Sequence, residues 1–102
     1  IIARGGSLNG GSGLQPRFSS IHRLILEPKC VFCHSPSGER PETDFSDYIT
    51  TINSGTIVPG QAGASPFYLE CAAGKMPKDG DPLSPAELGA MAQWIDGGAL
   101  NN

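Results

Sequence analysis

This sequence is poor in charge, cysteine and aromatic residues, and it holds no long apolar run. Charged residues make up 17% and the net charge is −3, so the basic footprint of a nucleic-acid-binding protein is missing. No stretch approaches the roughly 18 apolar residues that mark a membrane span, so none is expected. The three cysteines are an odd count, which argues against a disulfide scaffold and asks for another explanation. Alternation of apolar and polar residues never lasts long enough to read as a strand. There is no internal repeat.

What is present points to one small helical domain. The chain has 102 residues, enough for a single modest core, and domains of this size often draw support from a metal or cofactor. Apolar residues at 38% fit a folded globule, and 14 glycines with 9 prolines predict short elements joined by many turns. Residues 1–15, rich in glycine and serine, read as a flexible lead or linker, and residues 16–102 read as the domain. The first residue is Ile1, which is expected if a leader has been removed or if the domain was cut from a longer protein.

Four helices follow from pattern and punctuation. Phe18, Ile21, Leu24 and Ile25 share one face of a helix opened by Pro16 or Arg17, and Pro28 predicts its end near Leu26 or Glu27. Asp44 is the expected N-cap of a second helix whose stripe is Phe45, Tyr48, Ile49 and Ile52, with Gly55 beyond it. Ser65–Pro66 opens a third that runs through Ala73 to Gly74. Ser84, Pro85 and Glu87 form a capping box for the last, whose stripe is Leu88, Met91, Ala92 and Ile95. The expected fold class is all-α.

Between the first two helices lies Cys30-Val31-Phe32-Cys33-His34, the C-x-x-C-H pattern of covalent c-type haem attachment. Two thiols on one turn are spaced to bond the two vinyl groups of a haem, and the next residue places an imidazole beneath the iron. Covalent attachment suits a chain too small to enclose the group otherwise. A thioredoxin-like redox pair would need a βαβ setting that this helical pattern lacks. A zinc site could draw on Cys30, Cys33, Cys71 and a histidine, but not at familiar paired spacing.

The other face of the iron has three candidate ligands. Met76 stands in the loop Gly74-Lys75-Met76-Pro77, 42 residues past His34, where a methionine is poorly placed as core filler. Met91 has ordinary core spacing on the last helix, and His22 reads as a partly exposed surface histidine. A histidine–methionine pair would favour the reduced iron and suit one-electron transfer; an open site would suit a sensor or a peroxidase-like protein.

Three stretches carry a resemblance: Ile25–Cys30 leading into CVFCH; Ile57-Val58-Pro59-Gly60 with Ser65-Pro66-Phe67-Tyr68; and Lys75-Met76-Pro77 running to Leu83-Ser84 and Trp94-Ile95-Asp96-Gly97-Gly98-Ala99. Together they resemble mono-haem class I cytochromes c, most closely the planctomycete-type cytochrome c domain, over residues 18–99. The resemblance implies a small cytochrome c fold around one covalently attached haem c, held by Cys30 and Cys33. His34 would be the proximal ligand and Met76 the distal one. It also implies attachment after export in a bacterium, hence a periplasmic or otherwise exported protein. Cys71 is no part of that family's motif.

The remaining readings concern the surroundings. Tyr48, Ile52, Ile57, Pro59, Tyr68, Leu69 and Leu83 are the candidate haem pocket, and Trp94 is expected to pack where the last helix crosses Phe18 and Ile21. Cys71 reads as a small buried hydrophobe, with an intermolecular disulfide as the alternative in an otherwise monomeric protein. Lys29, Lys75 and Lys78 neighbour the attachment site and could form a basic rim for an acidic redox partner. The expected function is electron transfer and not enzymatic catalysis, either as a carrier or as the electron-feeding domain of a larger oxidoreductase.

Overall fold

The computed structural model describes residues 13–31, 33–77 and 80–102. Most of the predicted lead, residues 1–12, lies outside that range, as does Lys78. Its last residues are tied down: Gln15 N–H donates to Ser20 Oγ at 2.8 Å, and that hydroxyl donates to Gly13 O at 3.3 Å.

The elements are α1 (Phe18–Ile21), a π-helical segment (His22–Leu26), α2 (Glu27–Lys29), α3 (Tyr48–Ile52), a 3₁₀ turn (Ala62–Ala64), α4 (Pro66–Ala72) and α5 (Pro85–Asp96). No strand occurs among the described residues, and the fold is all-α.

Three elements correct the sequence reading in detail. The first helix does not stop before Pro28; it widens. Glu27 N–H donates to His22 O, five residues back, so the run passes through α2 to Lys29 in a looser register. A wide turn moves carbonyls away from the proline ring and accommodates a residue that has no N–H to give.

The second helix starts at Tyr48, not at Asp44. Asp47 is its N-cap: Oδ1 accepts from Thr50 N–H at 2.9 Å, and Thr50 Oγ1 accepts from Asp47 N–H at 3.3 Å. Asp44 instead closes a local turn, accepting from Ser46 N–H at 2.9 Å and Ser46 Oγ at 2.6 Å. The reason is Phe45, which leaves the helical path to be buried between the rings of His34 and Phe67, each 5.0 Å away by centroid. Ile49, expected on the buried stripe, is 63% exposed.

Ser65 occupies the N-cap position of α4 but does not cap it. Its buried hydroxyl turns back to the preceding loop, accepting from Val58 N–H and donating to Gln61 O, both at 2.8 Å. Helix α5 follows its expected box: Glu87 N–H donates to Ser84 Oγ, and Ser84 N–H to Glu87 Oε1.

The first helical run and α5 contribute most of the fully buried apolar side chains. Ile21, Ile25, Leu26, Met91 and Ile95 are fully buried, and Trp94 packs against Phe18 as expected, with ring centroids 5.7 Å apart and the planes tilted by 41°. Beyond α5 the chain reverses at Ala99, a buried residue at φ +52°, and runs back across this junction. Tyr48 donates its hydroxyl to Ala99 O, and Trp94 Nε1–H donates to Leu100 O, both at 2.8 Å. Asn102 then caps α1 from a distance: its Oδ1 accepts from Phe18 N–H at 2.8 Å, and its O accepts from Ser19 N–H at 2.9 Å. Side chain and backbone thus satisfy two donors that a helix start leaves open.

Candidate cofactor site around Cys30 to His34

The motif sits where the helical run ends. Cys30 N–H still donates to Leu26 O at 2.9 Å, and both Cys33 N–H and His34 N–H donate to Cys30 O, at 3.2 and 2.9 Å. Both cysteines and the histidine therefore share a single turn. From there residues 35–46 fold back on the turn. Arg40 N–H donates to Cys33 O at 2.7 Å, and Phe45 N–H donates to His34 O at 2.8 Å.

The loop also selects the state of the imidazole. Nδ1 of His34 stands 3.1 Å from Thr43 O, and a carbonyl oxygen only accepts, so Nδ1 carries the proton. In the neutral ring this tautomer has Nε2 as the bare nitrogen, the form a metal-ligating histidine needs. Phe45 packs against the same ring, and His34 itself stays half-buried.

The thiols differ. Cys30 is buried, its Sγ donates weakly to Ile25 O at 3.9 Å, and its pKa is pushed up to about 12, by burial first and by the neighbouring Cys71 second. Cys33 is half-buried. Cys71 is 3% exposed, as its reading as a small hydrophobe requires, and its pKa rises to about 11 through burial and the nearby Glu70. All three are free thiols. Among the described residues no three of His, Cys, Asp and Glu gather into a metal cage, so the zinc alternative finds no assembled site.

The candidate sixth ligands occupy three different settings. Met91 is fully buried in the core. His22 is committed to a loop, with Nε2 2.7 Å from Ser46 O. Met76 is half-buried in the loop after α4, where its N–H donates to Glu70 O at 3.3 Å, and it packs against the edge of the core.

Of the expected pocket residues, Ile57 and Leu83 are buried, while Ile52, Tyr48 and Tyr68 are half-buried against the same apolar cluster that holds Cys30, Phe45, Phe67 and Cys71. Pro59 is exposed and Leu69 is 46% exposed, so the structure does not bring them into that cluster. The Tyr48 hydroxyl is spent on Ala99 O. An open hollow lined by Val31, Ser35, Ser37, Gly38 and Glu39 adjoins the motif.

Two lysines of the expected basic rim, Lys29 and Lys75, meet carboxylates. Lys29 Nζ lies 2.6 Å from Glu87 Oε2 and joins the residue before Cys30 to the first turn of α5. Lys75 lies 3.8 Å from Glu70. Burial alone would raise the Glu87 pKa, but hydrogen bonds from Lys29 and Ser84 and the lysine charge bring it below its ordinary value.

Sequence reasoning missed Thr43 and the Lys29–Glu87 link. Thr43 acts through its backbone carbonyl, which any residue type supplies. Glu87 was legible as a cap, but its reach to Lys29 depends on how the helices cross. Comparison with family models, with curated proteins and with solved structures finds no match for this chain.

Proposed function

We propose that this protein is a one-electron carrier built on one covalently bound c-type haem. The observation that carries the reading is His34: an imidazole on the Cys30–Cys33 turn whose Nδ1–H is tied to Thr43 O, leaving Nε2 as a donor. When bound, a haem supplies a ferric–ferrous couple that changes charge without making or breaking a substrate bond.

The residues divide the remaining work. Cys30 and Cys33, on one turn at the end of the helical run, would hold the group as thioethers. His34 would ligate through Nε2, and the Thr43 carbonyl both orients the ring and makes the imidazole more electron-releasing. Met76 would supply a second ligand; it is half-buried in a loop, whereas Met91 is enclosed by the core and His22 is held by Ser46. Ile57, Phe67 and Leu83 would exclude water on the protein side. The reading implies assembly outside the cytoplasm and a redox partner protein.

The test is an absorption spectrum of the protein produced alongside haem-attachment machinery. A Soret band with sharp visible bands on reduction, surviving acid–acetone extraction, is the expected result. A colourless protein ends the reading. Met76→Ala should abolish the far-red charge-transfer band of the oxidised form. Rapid carbon monoxide binding by the unaltered reduced protein would instead show an open sixth site and assign a sensor-like role.

A further inference from the structure

One histidine remains unused by that reading, and its position is informative. His22 lies in the π-helical segment, with its ring 5.3 Å from that of buried Phe18 and its side chain 23% exposed. Nε2 stands 2.7 Å from Ser46 O, so it is Nε2–H that donates. The other nitrogen faces Glu27 at 3.8 Å.

Ser46 closes the short segment that brackets His34. Thr43 O accepts a hydrogen bond from His34 Nδ1–H, Phe45 N–H donates to His34 O, and the Phe45 ring packs on the imidazole. Asp44 binds both the N–H and the hydroxyl of Ser46, so the Ser46 carbonyl is the group of this residue that reaches another element, adding a second tie to the one Phe45 makes with His34 and Phe67. The group it meets is His22, on the same helical run that ends in Cys30.

We propose that His22 is a positioning residue for His34. By pinning Ser46 to the helical run, it holds the 43–46 segment at the distance from the Cys30–His34 turn at which Thr43 O can select the His34 tautomer. Its consequence for electron transfer rests on the haem reading above; the link between the two histidines does not.

Three substitutions separate reach from bulk. In His22→Gln an amide N–H still reaches Ser46 O; in His22→Asn the amide is too short; in His22→Leu the donor is gone. Nitrogen-15 NMR of the histidine side chains is the readout, in the purified protein at a pH where both imidazoles are neutral. The unaltered protein and His22→Gln should show His34 protonated at Nδ1. His22→Asn and His22→Leu should populate the Nε2–H form about five- to ten-fold more, the worth of one hydrogen bond.

In haem-loaded protein the same pairs are compared by solvent exchange of the His34 Nδ1 proton and by reduction potential. Exchange should quicken and the potential rise in Asn and Leu, and Gln should restore both. If folded His22→Asn and His22→Leu keep the original His34 spectrum, or if Gln behaves like Asn, the proposal is wrong. Should His22→Leu not fold, Asn against Gln decides. Should no haem be taken up, the proposed function fails while the tautomer measurement still judges His22.

Discussion

The two ends of this molecule are held by different forces. At the junction of the first helical run with α5, Ile21, Ile25, Leu26, Met91 and Ile95 have no exposed surface, and Phe18, Tyr48 and Trp94 pack ring against ring. Around Cys30–His34, residues 33–46 form no helix, and their order comes from a chain of backbone hydrogen bonds closed by one imidazole and one phenyl ring. Apolar burial is non-directional and tolerates small displacements, whereas a hydrogen-bonded loop sets angles and tautomers. The division would suit the proposed haem site, where a nitrogen must be aimed.

Removing side chain from the packed end should have the largest effect. Ile95→Ala leaves a cavity in a core that cannot fully collapse and is expected to cost about 2–5 kcal/mol, read from denaturant midpoints. The loop end should keep its geometry in the surviving folded fraction, visible as an unchanged His34 side-chain spectrum. A loss below about 1 kcal/mol would mean that the core is looser than its burial implies.

A smaller effect is expected at the strap that closes the packed end. Asn102→Ala removes the Oδ1 that caps Phe18 N–H, and a lost cap of this kind costs about 0.5–2 kcal/mol. Hydrogen exchange should show the Phe18 amide opening faster while amides of α5 open little faster than before. Uniform acceleration across α5 would show that the strap and the helix unfold as one unit.

The smallest effect concerns the link between the two ends. The folded-state pKa of Glu87 is depressed, so its contribution to stability is complete above the ordinary glutamate range. It is lost as pH falls through that range towards the folded value. Lys29→Met removes the ion pair and should flatten this acid-side fall, measured as denaturant midpoint against pH. A slope from Asp47 should remain, since its carboxyl is also lowered, chiefly by the Thr50 backbone hydrogen bond. An unchanged profile in Lys29→Met would show the pair too solvated to matter.

How much of this was legible in the residues follows the same division. The capping box of α5 and the packing of Trp94 on Phe18 could be read, because spacing and residue type carry them. The turn bearing Cys30, Cys33 and His34 was legible for the same reason. The start of α3 could not, because Asp44 and Asp47 are equivalent caps on paper and the burial of Phe45 chooses between them. The wide turn at His22–Leu26 was hidden by a proline that ordinarily ends a helix. Thr43, Ser46 and Asn102 act through carbonyls or across the chain, and neither leaves a local signal. The turn that brings Cys30, Cys33 and His34 together was legible; the carbonyls that fix the His34 ring were not.

The hold of Asn102 on Phe18 and Ser19 has a topological consequence. Through that pair of hydrogen bonds residues 18–102 form a ring, with one non-covalent closure among its peptide links. A few added residues could make that closure covalent, and the ring could then be opened in the exposed stretch Glu39–Glu42 instead. Such a circular permutant would sever the direct path from His34 to Thr43. Their meeting would then depend on the rest of the ring, and on His22.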